Sequence, residues 1–380
     1  MRIAMISPLE MRVPPIAYGG TELVVSLLTE ELVRRGHDVT LFASGDSVTD
    51  AKLVSVCPHF LRGSGRDAGI LTMLNVVSCL EQADKFDIIH NHTCFEGLAT
   101  AGLIKTPMLT TLHGDLKGDW LELFSYYKGW YNTISRSAKL LLPDKERFAG
   151  VIYNSIDVNS YPFNDSIREP TLLFLSRISH EKGPHLAVEV AKKSRRKLII
   201  AGNVHPVDEE YFRTMVMPGV DGDQIQYVGE ADYHRKRELL AQAYCLLAPI
   251  TWQEPFGLYF IEAMACGTPV VVFNRGSAPE VVKHGETGFV VNTLDEMVDT
   301  IDHVHQIDRR RCRQHVEERF DVPRMADDYL IAYKGVLSGT CDIRNQGLAA
   351  FDRSLESTVE LSLDAPASDR MTRMAKSSKN

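Results

Sequence analysis

The chain has 380 residues, more than a single hydrophobic core usually holds, so two domains are expected, with a cleft between them as the first place to look for a site. It is 44% hydrophobic and 24% charged with a formal net charge of −8, a composition that excludes a disordered chain and argues against a nucleic-acid binder. Cys57, Cys79, Cys94, Cys245, Cys266, Cys312 and Cys341 form an odd, scattered set without C-x-x-C spacing, which suits reduced packing thiols in a cytoplasmic protein.

Met1–Ser7 is too short for a signal-peptide core, Glu10 follows at once, and no later apolar run approaches transmembrane length. Peripheral membrane contact stays open, because a local basic or amphipathic surface can coexist with a negative total charge. The opening segment reads as a strand (Arg2–Ser7), followed by a helix at Thr21–Arg35 and a strand at Asp38–Ala43. Further strands are predicted at Phe86–His90, Pro107–Leu112 and Gly150–Tyr153, with helix-like stretches between. Repeated β-α-β implies a parallel sheet covered on both faces. After a polar link at Asn159–Pro170 the rhythm restarts. Strands are expected at Thr171–Ser176, Lys197–Ala201, Gln224–Val228, Tyr244–Ala248, Pro269–Phe273 and Gly288–Val291, and helices at Gly183–Lys193, His234–Gln242, Phe256–Ala265 and Ser277–Lys283. The fold class is therefore α/β, two doubly wound units in tandem. Beyond Leu294 the chain reads helical to Leu337. Residues 338–380, rich in Ser, Asp, Arg and Lys, read as a weakly ordered tail.

Two segments carry the chemistry. In Glu254-Pro255-Phe256-Gly257-Leu258-Tyr259-Phe260-Ile261-Glu262-Ala263-Met264, a carboxylate stands among apolar helical residues, a costly placement that points to a ligand. Glu254 lies just ahead of the helix start, so the segment offers two carboxylates beside an anion-friendly terminus, an arrangement suited to a polyol joined to a phosphate. The alternatives are a helix-terminal charge for Glu254 and a structural salt bridge for Glu262. In Ser176-Arg177-Ile178-Ser179-His180-Glu181-Lys182-Gly183, Arg177 and Lys182 follow a strand's carboxyl end, where open α/β sheets bind ligands. A guanidinium fork with a mobile ammonium makes a diphosphate clamp. The alternative is a solvated turn with a local Glu181–Lys182 pair.

Arg177-Ile178-Ser179-His180-Glu181-Lys182-Gly183, Ile200-Ala201-Gly202, Tyr227-Val228-Gly229, the Glu254-x7-Glu262 run, Pro279-Glu280-Val281-Val282 and Gly285-Glu286-Thr287-Gly288-Phe289 together resemble glycosyltransferase family 4. Tyr18-Gly19-Gly20-Thr21-Glu22, Thr111-Leu112-His113-Gly114 and Val151-Ile152-Tyr153-Asn154-Ser155-Ile156-Asp157 agree in outline, and the resemblance spans Met1–Leu337. It implies a GT-B fold, with an acceptor-side Rossmann-like domain at 1–160 and a nucleotide-sugar domain at 170–320. A helical segment at 321–337 would pack back toward the first domain. It further implies a retaining, metal-independent transferase without cofactor, moving a hexose from a nucleoside diphosphate sugar to a hydroxyl. UDP and glucose are favoured by family weight, and the acceptor is open among sugars, lipid-linked sugars and small metabolites.

By that resemblance Arg177 and Lys182 neutralise the diphosphate, Glu262 takes both ribose hydroxyls and Glu254 contacts the donor sugar. Backbone N–H groups around Phe256, Gly257 and Leu258 approach sugar and phosphate, and Gly19-Gly20 faces the diphosphate or acceptor. His113 faces the donor sugar, its carbonyl near the reacting carbon. Gly19-Gly20 is not a G-x-G-x-x-G motif, which counts against a nicotinamide enzyme. Asp221-Gly222-Asp223 imitates a metal-binding D-x-D but falls in a polar turn away from the strand ends. His90-Asn91-His92 places two imidazoles on one strand face without a third ligand nearby, so a cleft-lining or acceptor role is expected rather than zinc. A nucleotide-sugar epimerase and a catalytically silent nucleotide-sugar binder are the alternatives.

Overall fold

The computed structural model describes residues 1–340 except 18, 94, 115–117, 144–145 and 167–168. The tail expected at 338–380 therefore lies outside the described residues beyond Thr340, and Tyr18 of the glycine motif lies outside them as well. In the first half the elements run β1 (Arg2–Ile6), α1 (Gly20–Arg34), β2 (Asp38–Phe42), β3 (Lys52–Val54), α2 (Ala68–Leu80), β4 (Ile88–Asn91), α3 (Phe95–Thr100), β5 (Met108–Leu112), α4 (Asp119–Tyr126), β6 (Trp130–Thr133), α5 (Arg136–Leu140) and β7 (Phe148–Val151). The second half runs β8 (Leu172–Leu175), α6 (Pro184–Ser194), β9 (Leu198–Ala201), α7 (Glu209–Tyr211), β10 (Ile225–Tyr227), α8 (Tyr233–Gln242), β11 (Cys245–Ala248), α9 (Leu258–Ala265), β12 (Val270–Phe273), α10 (Ala278–Val281), β13 (Gly288–Val291), α11 (Leu294–Ile301), α12 (Arg309–Arg319) and α13 (Val322–Ser338).

All strands pair in parallel, in the orders β3-β2-β1-β4-β5-β6-β7 and β10-β9-β8-β11-β12-β13. Central strands buried on both faces explain runs such as Leu172-Leu173-Phe174-Leu175 and Val270-Val271-Val272-Phe273. Strand order reverses beside β1 and β8, which places a crevice at the carboxyl ends of β1 and β4 in one sheet and of β8 and β11 in the other.

Three sequence expectations need correction. The strand expected at Gly150–Tyr153 is Phe148–Val151. Its expected end leaves the sheet, so that Ile152 joins the first domain's core and Tyr153 joins the core under the second. β3, a three-residue edge strand, and β6 were not expected at all. The helix after Glu254 begins at Leu258 rather than Phe256, because Gly257 takes a left-handed turn (φ 77°) at its N-cap.

The polar residues of β6 belong to a buried network. Thr111 Oγ1 donates to Asn132 Oδ1 (2.8 Å) and therefore receives from His90 Nε2 (2.7 Å), so His90 Nδ1 accepts from the Tyr333 hydroxyl (2.7 Å). Tyr329 reaches the same Thr111 oxygen at 3.1 Å. Tyr329 and Tyr333 belong to α13, which starts after the second sheet and packs on α1 and the first sheet's core. His90 is thus a satisfied core histidine tying that helix to the first sheet, not a cleft or acceptor residue, and its burial keeps the ring neutral.

A second tie crosses the halves. Glu280 of α10 accepts from the Arg136 and Ser137 amides (2.8 and 2.7 Å) and from the Tyr153 hydroxyl (2.9 Å), so a carboxylate of the second half caps α5 of the first. Glu280→Ala removes the acceptor from three donors, two of them buried. We expect it to lower unfolding stability by about 3 kcal/mol in urea titration, with Glu280→Gln losing less; an unchanged transition would mean the cap contributes nothing.

Candidate active site

A cavity of about 720 Å³, part of it open to solvent, lies where the two sheets face each other. The first half supplies Ala17, Gly19, Gly20 and Leu23 from the segment after β1. The second supplies Ser176 and Arg177 after β8, Gly202 and Asn203 after β9, Lys236 of α8, and Leu258, Tyr259 and Glu262 of α9. An added Cβ at Gly20 would stand 3.3 Å from Leu258 Cδ1, so the glycine permits close approach of the two halves. At Gly19 it would meet Pro15 Cβ at 2.7 Å, a packing requirement independent of any ligand.

Arg177 sits on the cavity wall, paired with Glu181, its Nε buried and unpartnered among the described residues. Glu181 therefore pairs with Arg177, not with Lys182 as the solvated-turn alternative held. Lys182 is buried, paired with Glu254, and its ammonium lies 4.8 Å from the Trp252 ring centroid and 5.3 Å from that of Tyr259. The Glu254 oxygen that takes Lys182, Oε2, also accepts from Trp252 Nε1 (3.2 Å) and the Tyr259 hydroxyl (3.3 Å). Gly276 (φ 57°) presses on this loop, where a Cβ would come within 2.3 Å of the Glu254 backbone.

Glu262, on the buried face of α9, accepts from Tyr161 (2.9 Å) and from Lys236 Nζ (2.5 Å), both on Oε1. The sequence argument that such a carboxylate must meet a ligand is thereby corrected, since partners within the chain already satisfy one oxygen. Glu262 still lines the cavity. Lys236 escaped the sequence reading because nothing in a polar helix marks the lysine that packing will set against a distant carboxylate. Trp252 and Tyr259, which frame Lys182, were equally unmarked. Phe256 is buried against Tyr153 and Phe320, so any contact it makes with a ligand is through its backbone.

A smaller cavity, about 330 Å³, adjoins Glu254, Gln253 and Pro255 on one side and Leu112, Gly114, Thr133 and Ser137 on the other. His113 stands between two of its lining residues. Its Nε2 lies 2.8 Å from His92 Nδ1, and burial pushes its pKa down to about 4. Of the anticipated residues, then, Arg177, Glu262, Gly19, Gly20 and Leu258 surround one cavity, Glu254 and the neighbours of His113 a second, and Lys182 is held by Glu254. Asp221 Oδ1 accepts from the amides of its own turn, Asp223 and Ile225 (both 2.9 Å), at the amino end of β10. Among the described residues no three His, Cys, Asp or Glu side chains gather as metal ligands, and no helix is long and apolar enough to cross a membrane.

The comparisons with known proteins fit this geometry. The model described as Glycosyltransferase Family 4 matches residues 18–159, and that of Glycosyl transferases group 1 matches 161–319, so the two halves meet their models in order. The chain belongs to glycosyltransferase family 4. It is a GT-B glycosyltransferase, and its two parallel sheets are the two halves of that fold. Glycogen synthase of Mycobacterium tuberculosis is 28% identical over 348 residues, spanning 76% of this chain and 81% of its own. The N-acetyl-alpha-D-glucosaminyl L-malate synthase of Bacillus anthracis is 24% identical over 84% of this chain and 94% of its own. Anabaena HepE, solved in complex with UDP-glucose, superposes with a TM-score of 0.67 at 19% identity, covering 89% of this chain and all of that one.

Glu22, in the first turn of this glycosyltransferase's α1, is buried, and burial raises its carboxyl from 4.5 to about 7. The native state then holds a proton the unfolded state releases, so stability falls as pH rises from 4.5 toward 7, by about 3 kcal/mol in all. Glu22→Gln should stabilise the protein by that amount at about pH 8 and leave it unchanged at about pH 4, read from urea midpoints. An equal effect at both values would exclude a protonated Glu22.

Proposed function

We propose that this glycosyltransferase moves a hexose, glucose foremost, from a UDP-sugar to an acceptor hydroxyl with retention at the anomeric carbon and without a metal ion. One observation carries the reading. Arg177, Gly19, Gly20 and Glu262 border a single cavity at the carboxyl ends of the strands, and the Lys182–Glu254 pair is linked to it through Tyr259, which lines the cavity and donates to Glu254. On this reading the larger cavity holds the nucleotide. Glu262 accepts from the ribose hydroxyls while its Oε1 stays paired with Lys236, and Arg177 and Lys182 leave part of their carboxylate contacts for the diphosphate. The sugar enters the smaller cavity between Glu254 and His113. The UDP-glucose held by Anabaena HepE supports the donor assignment. The two relatives are named for different products, glycogen and an L-malate glycoside, which supports the acceptor as the variable half of the reaction.

Neither Glu254 nor Glu262 is free to act as a sugar nucleophile in this scheme, because both are engaged in charge pairs. The acceptor oxygen attacks from the side the diphosphate leaves. The C1–O bond to phosphate breaks as the new C1–O bond forms, and the acceptor proton passes to the departing phosphate oxygen. Catalysis rests on positioning and on charge held at the diphosphate by Arg177 and Lys182. The closing step is domain movement about the cleft.

Arg177→Ala is expected to lower kcat by about 10²- to 10³-fold with the fold retained, and Glu262→Ala to weaken UDP binding about tenfold or more. Acceptor-dependent release of UDP from UDP-glucose is the decisive assay. Donor consumption without acceptor would indicate an epimerase, and nucleotide binding without turnover under any acceptor would indicate a silent binder.

A further inference from the structure

Helix α2 covers the first sheet with one face and leaves the other to solvent. Val76 and Cys79 pack with Ala4, Ile6, Phe42 and Ile89, on the side of the sheet away from α1 and α13. The opposite face carries Ile70, Leu74 and Val77 at i, i+4, i+7 spacing, and they are 62%, 48% and 37% exposed. Between Ala68 and Leu80 the helix has no charged residue. A surface helix normally gives its solvent face to charged and polar side chains, so a continuous apolar stripe there marks a contact surface.

The charges come at the two ends. Arg66 stands four residues before Ile70 and just ahead of the Asp67 N-cap; Glu81 stands four residues after Val77, at the C-cap, and both are exposed. Each has the sign that its own helix end disfavours, a cation at the positive pole and an anion at the negative one. The Asp67 carboxylate is turned onto the Ile70 amide as the cap (2.9 Å), and Lys85, farther out, is hydrogen-bonded to Gln82 (3.4 Å). An antiparallel copy of the same helix reverses both misplacements. With a two-fold axis between positions 73 and 74, Arg66 meets Glu81 of the second copy, Ile70 meets Val77, and Leu74 lies beside its own counterpart. The pairs Arg66–Glu81 and Ile70–Val77 share that midpoint, so one register satisfies both.

We propose that the exposed face of α2 is the docking surface for a second copy of this chain, joined as an isologous, antiparallel helix pair centred on Leu74. A lipid surface fits less well. Helices that lie in a membrane interface carry basic residues along their polar face, whereas this one ends in exposed Glu81 and Asp84, which anionic headgroups repel. Ile70, Leu74 and Val77 line neither cavity of the cleft, so the pair leaves the candidate active site open and does not depend on the function proposed above. The helix has 13 residues and is about 20 Å long. A contact of that length falls below the roughly 1,200 Å² of a stable interface, so the dimer belongs to the weak, reversible class.

Sedimentation velocity of the full chain, from about 1 to 200 μM, should show a reversible shift from monomer toward dimer with Kd on the order of 10–100 μM. Leu74→Arg sets two like charges across the axis and should leave monomer at every concentration, with the circular dichroism spectrum unchanged because the side chain is exposed. Arg66→Glu and Glu81→Arg should each raise Kd about tenfold or more. An equal mixture of these two variants should recover wild-type association, because each copy then supplies the charge that the other lacks. A wild type that stays monomeric throughout, a dimer indifferent to Leu74→Arg, or a mixture that fails to recover would overturn the proposal. So would a monomer that co-sediments with vesicles of phosphatidylcholine and phosphatidylglycerol in a manner that Leu74→Arg abolishes, which would make the face a membrane contact.

Discussion

A buried ion pair constrains the whole centre of this enzyme. Lys182 and Glu254 have side chains that are 10% and 7% exposed, and two charges withdrawn from water to that degree are tolerable only when each is fully partnered. The fold meets the requirement with aromatic faces for the ammonium and two further donors for the carboxylate, all from the loop after β11 and the first turn of α9. Gly276 and Gly257 shape the backbone that makes this possible. The same logic repeats outward, Arg177 against Glu181 and Lys236 against Glu262, so each of these three cations has a carboxylate partner before any phosphate arrives. A site arranged this way does not pay the full cost of an unpaired buried charge when empty, and it exchanges partners rather than acquiring them when a diphosphate binds.

The second organising feature is the return of the chain. After the second sheet, α13 crosses back and sets Tyr329 and Tyr333 into the first sheet's polar interior, where His90, Thr111 and Asn132 form a network with donors and acceptors matched. His92, its ring tilted against that of His90, joins His113. The interdomain carboxylate Glu280 fixes the start of α5 from the other side. The cleft is thus bounded by two structural clasps, and the groups proposed to meet the sugar are continuous with one of them.

Much of this was legible in the sequence. Eleven strands were anticipated because parallel strands buried on both faces are continuous apolar runs, and the two-domain reading follows from their restart after Asn159–Pro170. β6 was hidden because Asn132 and Thr133 look like loop residues until Thr111 and, some 200 positions later, Tyr329 of α13 supply partners for Asn132, while Thr133 donates to the Ser135 carbonyl. β3 is too short and too exposed at the sheet's edge to leave a pattern. At the site, the spacing of Arg177, Lys182, Glu254 and Glu262 was visible, but not which cation pairs with which carboxylate. Lys236, Tyr161, Trp252 and Tyr259 became site residues only through packing. The His90-Asn91-His92 segment was noticed for the wrong reason: its rings do share one face, yet one is structural and the other reaches His113.

The central claim is that these pre-paired charges surround a donor site, and the most direct test is a crystal structure of the enzyme with a nucleoside diphosphate sugar. The account predicts the nucleotide in the larger cavity, ribose hydroxyls on Glu262, and the diphosphate in contact with Arg177 and Lys182, with the sugar between Glu254 and His113. A nucleotide bound outside that cavity, or bound there with Arg177 and Lys182 still held entirely by Glu181 and Glu254, would contradict it.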